Sequence, residues 1–178
     1  MSQNPFPAAL ALLGAASAPV SVKEPTDLPL TTLKDYRDWI IAHWTELAPM
    51  SSREDAAAEG MVRLTVLDRR GCFQTERVDV APRMCIPSHR HPLMDSIEFY
   101  VTGSSTIIVN GRTFHLGPHL ERLKPRRRCI PIPRDHWHEG TVFEDGLSFL
   151  SIQHWHGAPS SVGANWEGPD THAEPRAR

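Results

Sequence analysis

A two-residue alternation of apolar and polar residues begins near Met61 and continues through most of the remaining chain. Val62, Leu64 and Val66 alternate in the first such segment, and five more segments follow: TERVDV, IEFYV, STIIVNGRTFHL, RCIPIP and LSFLSIQ. Successive residues of a strand point to opposite faces, so each segment fits a strand with a buried face. Asn110-Gly111, between two apolar runs, is typical of a type I′ hairpin turn. Short strands joined by frequent turns predict an all-β sandwich or barrel.

Residues 32–47 carry a helical pattern ahead of these strands. Apolar residues recur three or four positions apart, at Leu33, Tyr36, Ile40, Trp44 and Leu47. Thr32 and Asp35 resemble a capping box at the start of this segment, and Pro49 follows its end. A single apolar face predicts a helix that covers one side of the β-sheet.

The chain divides into three predicted parts. Residues 1–60 form an N-terminal helical extension that packs on the barrel, and its last part, residues 48–60, is a polar linker. Residues 61–158 form the β-barrel, and residues 159–178 form an irregular C-terminal tail. A chain of 178 residues with 40% hydrophobic residues is long enough for one domain with its own core.

Charge and cysteine content narrow the partners and the location that we expect. The net charge of −2 gives no general attraction to nucleic acid or to acidic membranes. The three cysteines form no C-x-x-C pair, which indicates free thiols in a reducing cytoplasm. The apolar segment 8–18 follows no basic side chain and is too short to span a bilayer, so it predicts a short helix. We therefore expect a cytoplasmic protein without a nucleic-acid or membrane partner.

Two separate segments contain histidines that could hold one metal ion. His89 and His91 are two residues apart, so their side chains point to the same face of a strand. The segment PRDHWHEG supplies a third imidazole, His138, five residues after Pro133. Both segments lie on or beside predicted strands, where their side chains could meet inside a barrel.

These two segments resemble the metal-binding motifs of the cupin superfamily. The first family motif reads H-x-H, three or four residues, Glu, six residues and Gly, and the second reads P-x-G-x-x-H. Five residues of this chain match the motifs in order: His89, His91, Gly103, Pro133 and His138. Asp135 stands where the second motif has Gly. The resemblance covers about residues 75–155, and it implies a cupin double-stranded β-helix, a small jelly-roll barrel that usually holds one divalent metal ion.

The place of the family's Glu ligand is where this sequence departs from the first motif. Counting back from Gly103 places Ser96 there. Glu98 faces the same side of the strand as Ser96 but lies two residues further on, about 6–7 Å along the strand. A β-bulge could bring it into the position of the motif's Glu ligand. Asp95 is the other acidic residue in reach. The sequence leaves open a site of three histidines, a site completed by Glu98 or by Asp95, and a purely structural role for the histidines.

Three further histidines alternate along the predicted strands near this site. His136 could face the same cavity as His138 and act in catalysis, or it could lie on the rim. His154 and His156 could line the mouth of the cavity or lie on the outer face of the barrel, with Gln153 and Trp155 facing the opposite way.

The resemblance implies chemistry at a divalent metal ion held by neutral imidazoles. Fe(II) is the favoured ion, and Zn(II), Mn(II), Ni(II) and Cu(II) are alternatives. The favoured function is an Fe(II) dioxygenase that takes dioxygen and a small enolisable or hydroxylated aromatic substrate. The alternative is a non-oxidative lyase, isomerase or cyclase, in which Glu98 or Tyr100 moves a proton. A second alternative is a non-catalytic cupin that binds a small molecule.

The predicted helix also bears on assembly. It carries Trp39 and Trp44, which is more aromatic surface than a helix needs to cover one side of a sheet. The resemblance to cupins, which commonly pair their sheets, implies a homodimer or a larger even oligomer.

Overall fold

The computed structural model describes residues 30–54, 62–160 and 166–168, so the predicted helix at residues 8–18 lies outside the described residues. In this part of the chain one α-helix, α1 (Leu33–His43), precedes the strands. The strands are β1 (Ser51–Glu54), β2 (Val62–Arg70), β3 (Phe73–Val80), β4 (Cys85–His89), β5 (Met94–Val109), β6 (Arg112–Leu116), β7 (Cys129–Ile132) and β8 (His138–Trp155). Short 3₁₀ turns lie at Trp44–Glu46, Leu120–Arg122 and Pro125–Arg128. None of the described helices is long and apolar enough to cross a membrane.

The strands form one antiparallel sheet that folds over on itself. The order is β1-β2-β3-β8-β5-β6, with β4 also paired to β8 and β7 also paired to β5. β5 and β8 are the longest strands, with 16 and 18 residues. The register between them shifts twice, between Tyr100 and Thr102 and between Gly103 and Ser105. Such irregularities bend a strand, and the predicted all-β class is confirmed.

Gly103 lies at this bend, and its backbone explains why a side chain does not fit there. Its φ is +96°, and a Cβ at this position would overlap the carbonyl group of Gly146 on β8. Glycine adopts positive φ without the steric cost that a Cβ imposes. The glycine that ends the first motif therefore permits the close approach of β5 and β8.

Strand β1 corrects the prediction of a polar linker over residues 48–60. Ser51 to Glu54 pair with β2, from Ser51 opposite Val66 to Glu54 opposite Arg63. Ser51 and Ser52 are exposed. An edge strand is held by its backbone hydrogen bonds and needs no apolar side chains, so hydrophobic periodicity does not reveal it.

Helix α1 is shorter than predicted and turns a slightly different face to the barrel. The backbone N–H of Asp35 donates to Thr32 Oγ1 at 3.1 Å, so Thr32 is the N-cap. The α-helix ends at His43 and continues as a 3₁₀ turn. Its buried residues are Tyr36, Trp39 and Ile40, while Leu33, Trp44 and Leu47 are only partly buried. Of the two tryptophans in this segment, Trp39 is therefore the buried one and Trp44 is only partly buried.

Apolar residues form two clusters on opposite faces of the sheet. The inner cluster includes Leu64, Val78, Tyr100, Ile107 and Phe149. The outer cluster lies beneath α1 and includes Tyr36, Phe99, Leu150 and Ile152. Neighbouring residues on one strand therefore face different clusters, as Phe99 and Tyr100 do on β5. This alternation decides which side chains reach the interior of the barrel.

Candidate metal centre

The three predicted histidines meet inside the barrel. His89 ends β4 and pairs with His138 at the start of β8, and His91 follows two residues after His89. One ring nitrogen from each lies within 4.8 Å of the others. The ring centroids of His89 and His138 are 4.0 Å apart. All three residues are buried, with exposed fractions of 6%, 4% and 6% for His89, His91 and His138.

Backbone carbonyl groups orient two of these imidazoles. His89 Nδ1 lies 2.8 Å from the Pro87 carbonyl oxygen, and His138 Nδ1 lies 3.0 Å from the His136 carbonyl oxygen. A ring that donates from Nδ1 keeps the lone pair on Nε2, which is the usual arrangement behind metal-binding histidines. The polypeptide therefore presents at least two imidazoles as oriented neutral donors.

Burial also keeps these imidazoles neutral. Burial, together with the neighbouring His138 and His91, lowers the pKa of His89 to about 2. Burial likewise lowers the pKa of His138 below its ordinary value. Neutral imidazole is the form that binds metal. Three imidazole nitrogens that converge in the interior, with His89 and His138 held neutral by burial, fit a divalent transition-metal ion.

Glu98 and Tyr100 lie on the inward face of β5 and line the same cavity as the histidines. The Tyr100 hydroxyl donates a short hydrogen bond to Glu98 Oε2. The group of ligand atoms that lie within 4.8 Å of one another consists of the three histidines, and it does not include Glu98. Ser96 also lines the cavity. The structure thus brings together the three-histidine set and places Glu98 beside it.

Glu98 and Tyr100 both have a higher pKa than the same groups have when exposed to water. Burial raises the pKa of Glu98 to about 7, although the hydrogen bond from Tyr100 acts in the opposite direction. Burial and the adjacent Glu98 raise the pKa of Tyr100 well above its ordinary value. Near neutral pH Tyr100 therefore stays a neutral donor, while Glu98 can both accept and release a proton.

His136 and Asp135 lie in the turn that precedes β8, and neither is among the described residues that line the cavity. The ring of His136 does not line the cavity and faces its own turn, with Nδ1 3.2 Å from the Arg134 carbonyl oxygen. Asp135, which replaces the motif glycine, has a φ of +62°. The His136 N–H donates to the Pro133 carbonyl at 3.1 Å, as in a type II turn. Asp135 therefore adopts the conformation for which the motif has glycine.

Asp95 lies on the other face of β5, away from the cavity. Its Oδ1 accepts a hydrogen bond from the Arg134 N–H at 3.0 Å, and its Oδ2 lies 2.6 Å from His156 Nε2. It is not among the residues that line the cavity. The alternation along β5 accounts for this, because residues 96, 98 and 100 face inward and residue 95 does not.

The cavity beside the histidines has a volume of about 240 Å³ and a largely apolar wall. Aliphatic residues of β2 and β3, including Leu64, Val78 and Val80, form part of that wall. Neither lysine nor arginine occurs among the described residues that line it. A ligand would therefore direct a polar group toward the histidines and an uncharged or apolar part toward the aliphatic wall.

A short segment of the predicted C-terminal tail contributes to the site. Trp166 lines the cavity, and its ring centroid lies 5.3 Å from that of His89. Glu167 exchanges two backbone hydrogen bonds with Arg90, each 3.0 Å long, and its carboxylate lies 3.1 Å from Arg90 Nη2. These residues were not predicted from the sequence. The feature of the sequence that could have indicated them is Trp166, a large apolar side chain in a mostly polar tail.

Comparisons with known proteins agree with this architecture. Neither a protein-family model nor a curated protein matches the chain. The solved structures that it resembles include the DMSP lyase DddQ from Ruegeria pomeroyi DSS-3, with a TM-score of 0.51 and 18% identity over 92% of this chain and 77% of that chain. A cupin-2 domain protein from Rhodospirillum rubrum has a TM-score of 0.50 and 17% identity over 69% and 75%. A structure from a study of the DMSP lyases RdDddP and RnDddQII has a TM-score of 0.50 and 14% identity over 76% and 69%. The chain has the cupin fold, a jelly-roll β-barrel.

Proposed function

We propose that this chain is a metal-dependent lyase that removes a proton from a carbon atom of a small substrate. The hydrogen-bonded pair of Glu98 and Tyr100, on the cavity wall beside three converging histidines, is the observation that carries the proposal. His89, His91 and His138 would hold the ion, and the chemistry it would supply there is Lewis-acid polarisation of a carbonyl or carboxylate oxygen of the substrate.

Glu98 is the base in this proposal. Its Oε2 accepts the hydrogen bond from the Tyr100 hydroxyl, and Tyr100 is the hydrogen-bond partner of the Glu98 side chain within the described part of the chain. Oε1 is then the oxygen that accepts the proton. The electrons of the C–H bond form a new C=C bond, and the group on the next carbon leaves with the electrons of its own bond. Tyr100 remains a neutral phenol that holds the carboxylate in place.

The cavity favours a substrate with one oxygen-bearing end and a remainder without negative charge. The described lining has no cationic side chain that could pair with a second anionic group. The aliphatic part of the wall would stabilise an apolar group by removing it from water. Two solved structures with this fold are titled DMSP lyases, which supports testing the lyase class before other reactions.

An Fe(II) dioxygenase is the second candidate, because the converging donor set has three imidazoles. Such a donor set suits Fe(II) and would leave room for a chelating substrate and dioxygen. A small enolisable ketone or a hydroxylated aromatic compound would be its substrate. The Glu98–Tyr100 pair has no necessary part in that reaction, and for this reason we rank the lyase first.

Turnover under strict anaerobiosis distinguishes the two candidates. The purified protein is loaded separately with Fe(II), Zn(II), Mn(II) and Ni(II) and assayed with DMSP, with other β-substituted carboxylates, and with the enolisable and hydroxylated aromatic compounds. The lyase should form an unsaturated product without dioxygen. In D₂O the enzyme should also exchange the hydrogen next to the carbonyl or carboxylate group. Turnover that stops without dioxygen, with oxygen uptake in air, would favour the dioxygenase instead.

Variants of the pair test the assignment of the base. Glu98→Gln should lower kcat/KM by about 10² to 10⁴, the usual contribution of a general base. Tyr100→Phe should lower it by about 10-fold to 100-fold, because it removes one hydrogen bond to a charged group. Glu144→Gln is the matched control, because Glu144 is an exposed carboxylate whose side chain is 68% accessible. Equal activity of Glu98→Gln and Glu144→Gln would show that Glu98 is not the base.

A further inference from the structure

A second group of metal-ligating side chains lies on the outer face of the barrel, away from the cavity. His154 on β8 pairs directly with Asp95 on β5 in the antiparallel register. His156 follows two residues later and returns to the same face. One ligand atom from each of the three residues lies within 4.8 Å of the others.

The positions of these donors are set by contacts outside the group. Asp95 Oδ1 accepts the Arg134 N–H at 3.0 Å, which leaves Oδ2 directed at His156 Nε2, 2.6 Å away. The ring of His154 packs against Phe73, with centroids 5.1 Å apart. The ring centroids of His154 and His156 are 5.0 Å apart. A carboxylate held by a backbone N–H and a ring held by packing are the kinds of support that metal ligands have.

We propose that Asp95, His154 and His156 form a second metal-binding site for a divalent transition-metal ion such as Zn(II) or Ni(II). Two imidazoles and one carboxylate form a donor set that suits these ions. An ion pair between Asp95 and His156 accounts for only two of the three groups, and it does not require the nearby ring nitrogen of His154. Asp95 and His156 are also accessible, with side-chain exposed fractions of 31% and 33%.

The outer site is separate from the candidate metal centre. Asp95 faces outward from β5, while its neighbour Ser96 lines the cavity, so the backbone of the strand lies between the two sites. The proposal therefore does not depend on the function of the cavity. An ion at one site needs no ligand from the other.

Calorimetric titration of the full-length, metal-stripped protein with Zn²⁺ tests the proposal. The wild-type chain should bind two equivalents. Asp95→Asn and His156→Gln should each lose one equivalent or weaken it by at least about tenfold, since even outer partners of metal ligands contribute about 10-fold to 100-fold. His115→Gln is the matched control, because His115 is an exposed histidine of β6 outside both groups. It should keep both equivalents.

His91→Ala is the complementary variant, because it should lose the inner equivalent of Zn²⁺ and keep the outer one. Crystals of the wild-type protein equilibrated with Zn²⁺ provide a measurement that does not depend on any variant folding. They should show an anomalous-scattering peak between Asp95, His154 and His156. Retention of every wild-type equivalent, with unchanged affinity, in both Asp95→Asn and His156→Gln would overturn the proposal. An anomalous map without this peak would also overturn it.

Discussion

Replacing Glu98 with Gln should make the metal-free protein more stable above pH 7, even though it removes the proposed base. Burial raises the pKa of Glu98 in the folded protein to about 7 from an ordinary value of 4.5. Between these two pH values the folded chain holds a proton that the unfolded chain has released. The free energy of unfolding therefore decreases as the pH rises from 4.5 to 7, and the full loss is present above pH 7. A neutral Gln of the same size avoids this loss.

The size of the effect follows from the pKa difference. The rise from 4.5 to about 7 corresponds to about 3.4 kcal/mol, at 1.36 kcal/mol for each pH unit. Glu98 is half-buried and faces the cavity, where water reduces the penalty of the charge, so we expect about 2–3 kcal/mol at pH 8. The amide oxygen of the substituted side chain can still accept the hydrogen bond from Tyr100, so little other change is expected. Near pH 4.5 the two proteins should differ by less than about 1 kcal/mol.

Urea unfolding of both proteins in the presence of a chelator, at intervals from pH 4.5 to 8.5, measures this difference directly. The low pKa of His89 and His138 makes the folded state less stable as the pH falls below about 6.5, but this contribution is the same in both proteins and cancels in the comparison. Glu144→Gln should run parallel to the wild type at every pH. Parallel curves for Glu98→Gln and the wild type would refute the argument that burial of Glu98 destabilises the fold.

Three further outcomes are expected. His91→Ala should lose most of the inner metal ion, measured by elemental analysis, while the far-UV circular dichroism of the barrel is retained; a full equivalent of inner metal would exclude His91 as a ligand. Gly103→Ala should lower the free energy of unfolding by at least about 2 kcal/mol, because a Cβ there overlaps the Gly146 carbonyl, whereas Gly111→Ala should lose only about 1 kcal/mol from its positive φ. Light scattering should give twice the 19.9 kDa chain mass or a larger even multiple, and a monomer at micromolar concentration would contradict the proposed dimer.

Local periodicity was sufficient to predict the all-β class and the inward-facing set on β5. Ser96, Glu98 and Tyr100 share a face because a strand repeats every two residues, and the sequence shows this directly. The same rule put His89 and His91 on one side. The edge strand β1 was missed because backbone pairing with β2 holds it, without an apolar pattern of its own.

The roles of the acidic residues and the tail depend on contacts between segments far apart in the chain. Alternation along β5 puts Asp95 and Glu98 on opposite faces. Only the register of β5 against β8 shows that Asp95 lies opposite His154. Trp166 reaches His89 because Glu167 pairs with Arg90, 77 residues earlier. Sequence periodicity determines the face of a strand on which a side chain lies. Which residue of another strand lies beside that side chain depends on the pairing of strands far apart in the sequence, and only the folded structure shows it.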